Sequence, residues 1–185
     1  MAFRLQAKRC EEIKEIVVRT FEKLNIRCTP ISGFEIATKL GVVIVPYSSK
    51  PESVIKLMLE ESEDGFSVKK DGTWYIFYND NMRSKNYRRI NNTLIHECGH
   101  IVLDHTQASE LAEAEANFFA KYAIAPPVLI HKLKLKSAND VYDHFDISHE
   151  AAKYAFEYYI KWLNYGGEYY KDYEMRLLEL FEEAM

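Results

Sequence analysis

Two histidines stand four residues apart in TLIHECGHIVLDHTQ, the stretch from Thr93 to Gln107, and Glu97 follows directly after the first of them. On a helix, positions i and i+4 lie one turn apart on the same face. His96 and His100 can therefore aim an imidazole nitrogen each at one zinc ion, with bonds of about 2.0–2.1 Å. Glu97 is rotated away by one residue, so it can reach a water beside the ion without becoming a ligand. A general base for hydrolysis needs that placement. The competing reading makes the histidines ordinary polar positions on a half-buried helix, since Leu94, Ile95, Ile101, Val102 and Leu103 are apolar. Buried imidazoles would still need partners. Gly99, inside the helix, costs about 1 kcal/mol against alanine and offers only close approach in return. Cys98 points off the zinc face and reads as core.

A zinc hydrolase takes three protein ligands and keeps a fourth position open. A third histidine extending the motif downstream is ruled out by Thr106, and His105 comes one place early. If the helix continues, the His105 side chain projects about 100° away from that of His100. A glutamate from a second helix is the other source, and ELAEAEANFFA offers Glu110, Glu113 and Glu115. Glu113 and Asn117 are i and i+4, so one can bind the ion while the other fixes a ligand histidine through its free ring nitrogen. Glu115 has Phe119 one turn on, which offers no such hydrogen bond. Glu113 is thus the favoured third ligand and Glu115 the alternative.

These helices need a frame. EEIKEIVVRTFEKLNI repeats apolar residues every three or four positions, which predicts an amphipathic helix. SGFEIATKLG follows with Ser32 and Glu35 spaced as a capping box and Gly41 as a stop. VVIVPY reads as a short buried strand, and PESVIKLMLEESED is ambiguous between strand and helix. GFSVKKDGTWYIFYND reads as a hairpin turning at Asp71-Gly72, and Trp74–Tyr78 as an edge strand open to an extended substrate. The histidine helix is expected to start at Asn91 or Asn92. The next runs from a Ser109 cap to Pro126-Pro127. Helices are also expected at 127–136, at 148–167 behind a Ser148 cap, and at 173–184. DVYDHFDISHEAAKYA has a helix-turn-helix look but no basic face, and reads as structural support. A mostly helical α+β protein with a small, mainly antiparallel sheet results.

With 185 residues and no repeat or long linker, a single domain over 1–185 is expected, with its core at about 30–130 and helical support at 131–185. A net charge of -4 argues against nonspecific nucleic-acid binding. No apolar run approaches membrane-spanning length. Three cysteines at unrelated spacings, and a start that turns charged almost at once, point to the cytoplasm.

HECGH followed by EAEANFFAKYAIAPP, with YIFYND…RRINNTLIHECGH upstream, resembles the ImmA/IrrE metallopeptidase domain. There an HExGH helix precedes a glutamate-bearing helix that ends at proline. The match is specific from Tyr75 to Pro127, weaker over ISGFEIATKLGVVIVPY and loose in the last third. Cys98 stands where that family more often has an aliphatic residue. The resemblance implies a minimal zincin-like fold of the thermolysin-like class. His96, His100 and Glu113 would be its zinc ligands, Glu97 its base, and Asn117 would occupy the supporting position. It also implies a zinc-dependent endopeptidase acting on a cytoplasmic protein, with a helix-turn-helix repressor of a phage or mobile element as the suggested substrate. The rivals are a zinc hydrolase of a small amide, and a regulatory domain whose metal is structural or absent. The residue stabilising the developing oxyanion is not assigned, with His105, His144, His149 and several tyrosines unranked.

Overall fold

The computed structural model describes residues 5–81, 86–167 and 169–182. The chain runs through α1 (Ala7–Leu24), α2 (Gly33–Lys39), β1 (Val43–Pro46), a 3-10 turn (Tyr47–Ser49), α3 (Glu52–Glu61), β2 (Gly65–Lys70) and β3 (Thr73–Tyr78). It continues through α4 (Tyr87–Val102), α5 (Glu110–Ile124), α6 (Pro127–Lys132), α7 (Ala138–Phe145), α8 (His149–Asn164) and α9 (Asp172–Glu182). The class is mostly helical α+β, as expected. Residues 183 and 184 of the last expected helix lie outside the described residues. Among the described residues no helix is long and apolar enough to cross a membrane. The chain divides into one unit of Ser32–Ala116 and a second formed by the chain before and after it.

The Ser32–Ala116 unit holds the sheet, with strand order β1-β3-β2. The hairpin β2–β3 is antiparallel, paired from Gly65↔Tyr78 to Lys70↔Thr73. Asp71 and Gly72 turn it with φ of 50° and 80°, the left-handed pair that a two-residue hairpin turn requires. β1 adds in parallel on the far side, Val43↔Tyr75 to Pro46↔Tyr78. Trp74–Tyr78 is therefore the middle of the sheet, and β2 is an edge. A hairpin pattern cannot show which of its two strands takes the third, and this corrects the sequence expectation. The ambiguous stretch after Pro51 is helix α3. Leu57 and Leu59 stay exposed on it while Met58 is buried, which is why its apolar residues kept no clean period.

α4 starts at Tyr87, not at Asn91 or Asn92. Asn86 is the cap, its side chain accepting the Arg89 N–H at 3.0 Å. The first turn is polar, so the apolar period that marks the helix begins only at Ile90. Asn91 is buried instead, and its Oδ1 accepts the Gly33 N–H at 2.6 Å, tying α2 to α4. Glycine is needed at that crossing, because a Cβ on Gly33 would meet Leu94 Cβ at 2.7 Å and the Asn91 carbonyl at 2.8 Å. Ile36, Ile76, Leu94, Ile95 and Cys98 are fully buried here. They fix α4 against the sheet by burial worth about 1.5–3 kcal/mol for each large aliphatic side chain.

The second unit is helical. α1 presents Ile13, Val17, Val18 and Phe21, and α9 presents Tyr173, Leu177 and Phe181, all buried. The Phe21 and Phe181 rings lie 6.2 Å apart. Ser137 and Asp140 form a reciprocal capping box that starts α7, the first helix of the stretch with the helix-turn-helix look. Ser148 caps α8 as expected, accepting the Ala151 N–H at 3.1 Å.

Candidate metal centre

α4 carries His96 and His100 on one face, and the start of α5 brings Glu113 to them. The two histidine Nε2 atoms are 3.1 Å apart. Glu113 places Oε2 at 3.5 Å from His96 Nε2 and Oε1 at 3.3 Å from His100 Nε2. One atom from each residue falls within a group no wider than 4.8 Å. Tetrahedral zinc with bonds of about 2.0–2.1 Å sets its donors about 3.3 Å from one another. The observed separations bracket that figure. Two nitrogens and a carboxylate oxygen are also the donor types that zinc takes, so these residues fit the ion.

Burial lowers the His100 pKa to about 4, with help from His96 and His105 and against Glu113. The ring is therefore neutral near pH 7 and keeps a lone pair to offer. Glu113 is exposed, which opens this side of the group to solvent. Asn117 lies four residues on in α5 and is also exposed.

Glu97 is turned inward and is only 6% exposed. Burial raises its pKa to about 7, and Glu113 adds to this, while Ser67 works against it through side chain and backbone. The Ser67 hydroxyl donates to Glu97 Oε2 at 2.8 Å. Sequence reasoning missed Ser67. Its one available signal was a small hydroxyl residue in the inward register of β2, directly opposite the fully buried Ile76. Cys98 is fully buried and its thiol pKa is pushed far up by burial, as a core residue's should be.

His105 and Glu115 are placed differently from expectation. α4 ends at Val102, Leu103 is its cap, and Asp104 takes the left-handed conformation with φ 54°. The Asp104 N–H donates to the Ile101 carbonyl at 3.2 Å and the His105 N–H to the His100 carbonyl at 3.0 Å. This is the Schellman arrangement, which folds the chain back over the last helical turn. It brings His105 Nδ1 to 3.0 Å from His100 Nδ1. Glu115, buried, sets Oε2 at 3.0 Å from His105 Nε2. Glu115 is thus engaged with His105, while Glu113 is the glutamate that joins the histidine pair. Phe119, one turn along α5, offers Glu115 no hydrogen bond, and the partner of Glu115 comes instead from the turn after α4. His144 lies elsewhere, with Nε2 at 2.7 Å from the Thr29 hydroxyl. His149 stacks on Tyr142 at 3.8 Å.

Residues 37–157 match the family model described as the IrrE N-terminal-like domain, a peptidase family designated M78. No curated protein and no solved structure matches the chain. The family match covers more than half of the sequence and includes every residue of the group described above. The chain belongs to the ImmA/IrrE family of metallopeptidases.

Proposed function

We propose that this metallopeptidase is a zinc-dependent endopeptidase in which His96, His100 and Glu113 hold the metal and Glu97 is the base. The observation that carries the reading is the convergence of the three residues, with the histidine Nε2 atoms 3.1 Å apart and one Glu113 oxygen near each, Oε1 at 3.3 Å from His100 Nε2 and Oε2 at 3.5 Å from His96 Nε2. Zinc bound there would polarise the scissile carbonyl and acidify water at the open coordination position. Glu97 takes the proton of the attacking water and passes it to the leaving amine. A carboxyl with a pKa near 7 can do both at neutral pH. Ser67 orients that carboxylate. Asn117, one turn past Glu113, is assigned to steady a ligand histidine.

An extended peptide fits the free edge of β2. A two-residue turn closes on a hydrogen-bonded pair, here Lys70 and Thr73, and such pairs alternate along an antiparallel ladder. Lys69, Ser67 and Gly65 therefore direct their backbone groups away from β3. Ser62 takes the Gly65 N–H, and Ser67 gives backbone support to Glu97. Among the described residues the carbonyls of Gly65 and Ser67 and both backbone groups of Lys69 face outward, where a substrate strand would pair. An open edge beside the base favours a protein substrate over a small amide.

The reading keeps the chain as one cytoplasmic domain with its core at about 30–130 and helical support at 131–185. Its suggested substrate is a helix-turn-helix repressor of a phage or mobile element, by analogy with the family. The test is elemental analysis of wild type and His100→Ala, purified without added metal. Wild type should carry about one zinc per chain and the variant little. Negligible metal in both, persisting after zinc is supplied, would end the metalloenzyme reading.

A further inference from the structure

His105 and Glu115 belong neither to the donor set nor to the base, yet both are buried beside it, with side chains 12% and 8% exposed. Their hydrogen bonds form a line, from Glu115 Oε2 to His105 Nε2 at 3.0 Å and from His105 Nδ1 to His100 Nδ1 at 3.0 Å. A carboxylate oxygen only accepts, so the proton of that first bond sits on His105 Nε2. A neutral imidazole with Nε2 protonated has a bare Nδ1, which can only accept. The proton of the second bond therefore sits on His100 Nδ1. That leaves His100 Nε2, the atom facing His96 and Glu113, with its lone pair free. These assignments are those of an ionised Glu115 and a neutral His105. An imidazolium at His105 would donate from both nitrogens and reverse the His100 tautomer, so the tautomer is what the experiment must read.

We propose that Glu115 and His105 are positioning residues that fix the tautomer and ring orientation of His100 for metal binding. This rests on the zinc reading above and extends it to two residues outside the donor set. A metal-bound histidine ordinarily gives its other N–H straight to a carboxylate or carbonyl. Here a second imidazole stands between them. The backbone supplies the reason, since the Schellman turn after α4 delivers His105 to the His100 ring and Glu115 of α5 receives the far side of His105. The arrangement holds His100 by main-chain geometry and by a buried carboxyl group together.

The test has two readouts on the full chain. In the first, ring 15N shifts of the metal-free protein report the His100 tautomer directly, with His100→Ala supplying the assignment. The Nδ1–H form is expected in wild type, and the Nε2–H form would overturn the proposal whatever the protein does with zinc. In the second, zinc affinity is measured by competition with a chromogenic chelator. His105→Leu and Glu115→Met should each weaken binding by roughly 10- to 100-fold. His105→Asn, whose Oδ1 can replace the accepting Nδ1, should stay within about threefold of wild type. Wild-type affinity in His105→Leu with an unchanged His100 spectrum would remove the two residues from the site. Failure of wild type to bind zinc would instead count against the metal reading, and the 15N spectrum would still decide the tautomer. If His105→Leu does not fold, wild type and His105→Asn carry the test, and an Asn variant as weak as the metal-free baseline would overturn the acceptor role.

Discussion

Two carboxylates in this chain, one buried and one half-buried, are driven in opposite directions. Glu97, in the Ser32–Ala116 unit, is raised to about 7 by burial, with Ser67 as its hydrogen-bond donor. Glu11, in the helical unit, is lowered to about 2. Burial pushes Glu11 upward too, but Lys14, Lys171 and Tyr173 all donate to it and outweigh that push. The Lys14 and Tyr173 bonds are 2.7 and 2.8 Å, and Lys171 closes the set. Depth and partners together separate the two. One carboxylate is surrounded by cations that keep it charged and silent. The other has a single neutral residue holding it, with a second carboxylate, Glu113, as electrostatic neighbour. A group that is to exchange protons near neutrality has to be left short of charged partners, and the α4 cluster meets that condition where the α1 cluster does not.

The sharpest way to break this contrast is to neutralise Glu97. Glu97→Gln keeps shape and a hydrogen bond to Ser67 but cannot take a proton. Cleavage of a peptide that wild type cuts should fall by about 10²–10⁴-fold, with zinc content and melting temperature near wild type. Full activity in that variant would refute the assigned base. Glu113→Ala should act on the other readout. Zinc affinity should drop by more than the roughly 10–100-fold typical of an outer-shell change, while the circular-dichroism spectrum stays, because Glu113 is exposed and holds no core.

How much of this was legible beforehand depends on whether a contact is local. The histidine pair and Glu97 are separated by at most four residues on one helix, so helical geometry alone juxtaposes them. The hairpin at Asp71-Gly72 and the caps at Ser32, Ser109 and Ser148 are local for the same reason. Glu113 could be ranked above Glu115 from spacing and resemblance, but the reason for Glu115 could not. That reason needs the chain reversal at Asp104, and a non-glycine residue in the left-handed region carries only a weak sequence signal. The strand order was likewise out of reach, since β1 reaches β3 in parallel through a long connection. Ser67 joins Glu97 across 30 residues, and nothing in its own neighbourhood announces it.

Ser67 offers a gentler test of the same comparison, because among the described residues it is the side chain that hydrogen-bonds Glu97. Ser67→Ala should leave metal content unchanged and lower kcat, with little change in KM, by about tenfold, the worth of one hydrogen bond to a charged group. Ser67→Thr, which keeps the hydroxyl in a strand position that favours β-branching, should recover most of the loss. An alanine variant with wild-type kcat would mean that β2 holds Glu97 by its backbone alone.

The smallest effect belongs to Glu11, and it should appear in stability rather than in chemistry. Its folded pKa is near 2 against an ordinary 4.5, so its contribution is complete above about 4.5 and fades as pH falls toward 2. Glu11→Gln removes that contribution. At pH 7 the variant should lose about 1 kcal/mol or less, since the group is partly exposed and its ion pairs are screened. Near pH 2 the difference from wild type should close, because wild type is by then losing the same charge. Denaturant unfolding at the two pH values reads this directly. A gap that persists unchanged at low pH would assign the loss to packing instead, and a change in zinc affinity would count against a purely structural role for Glu11.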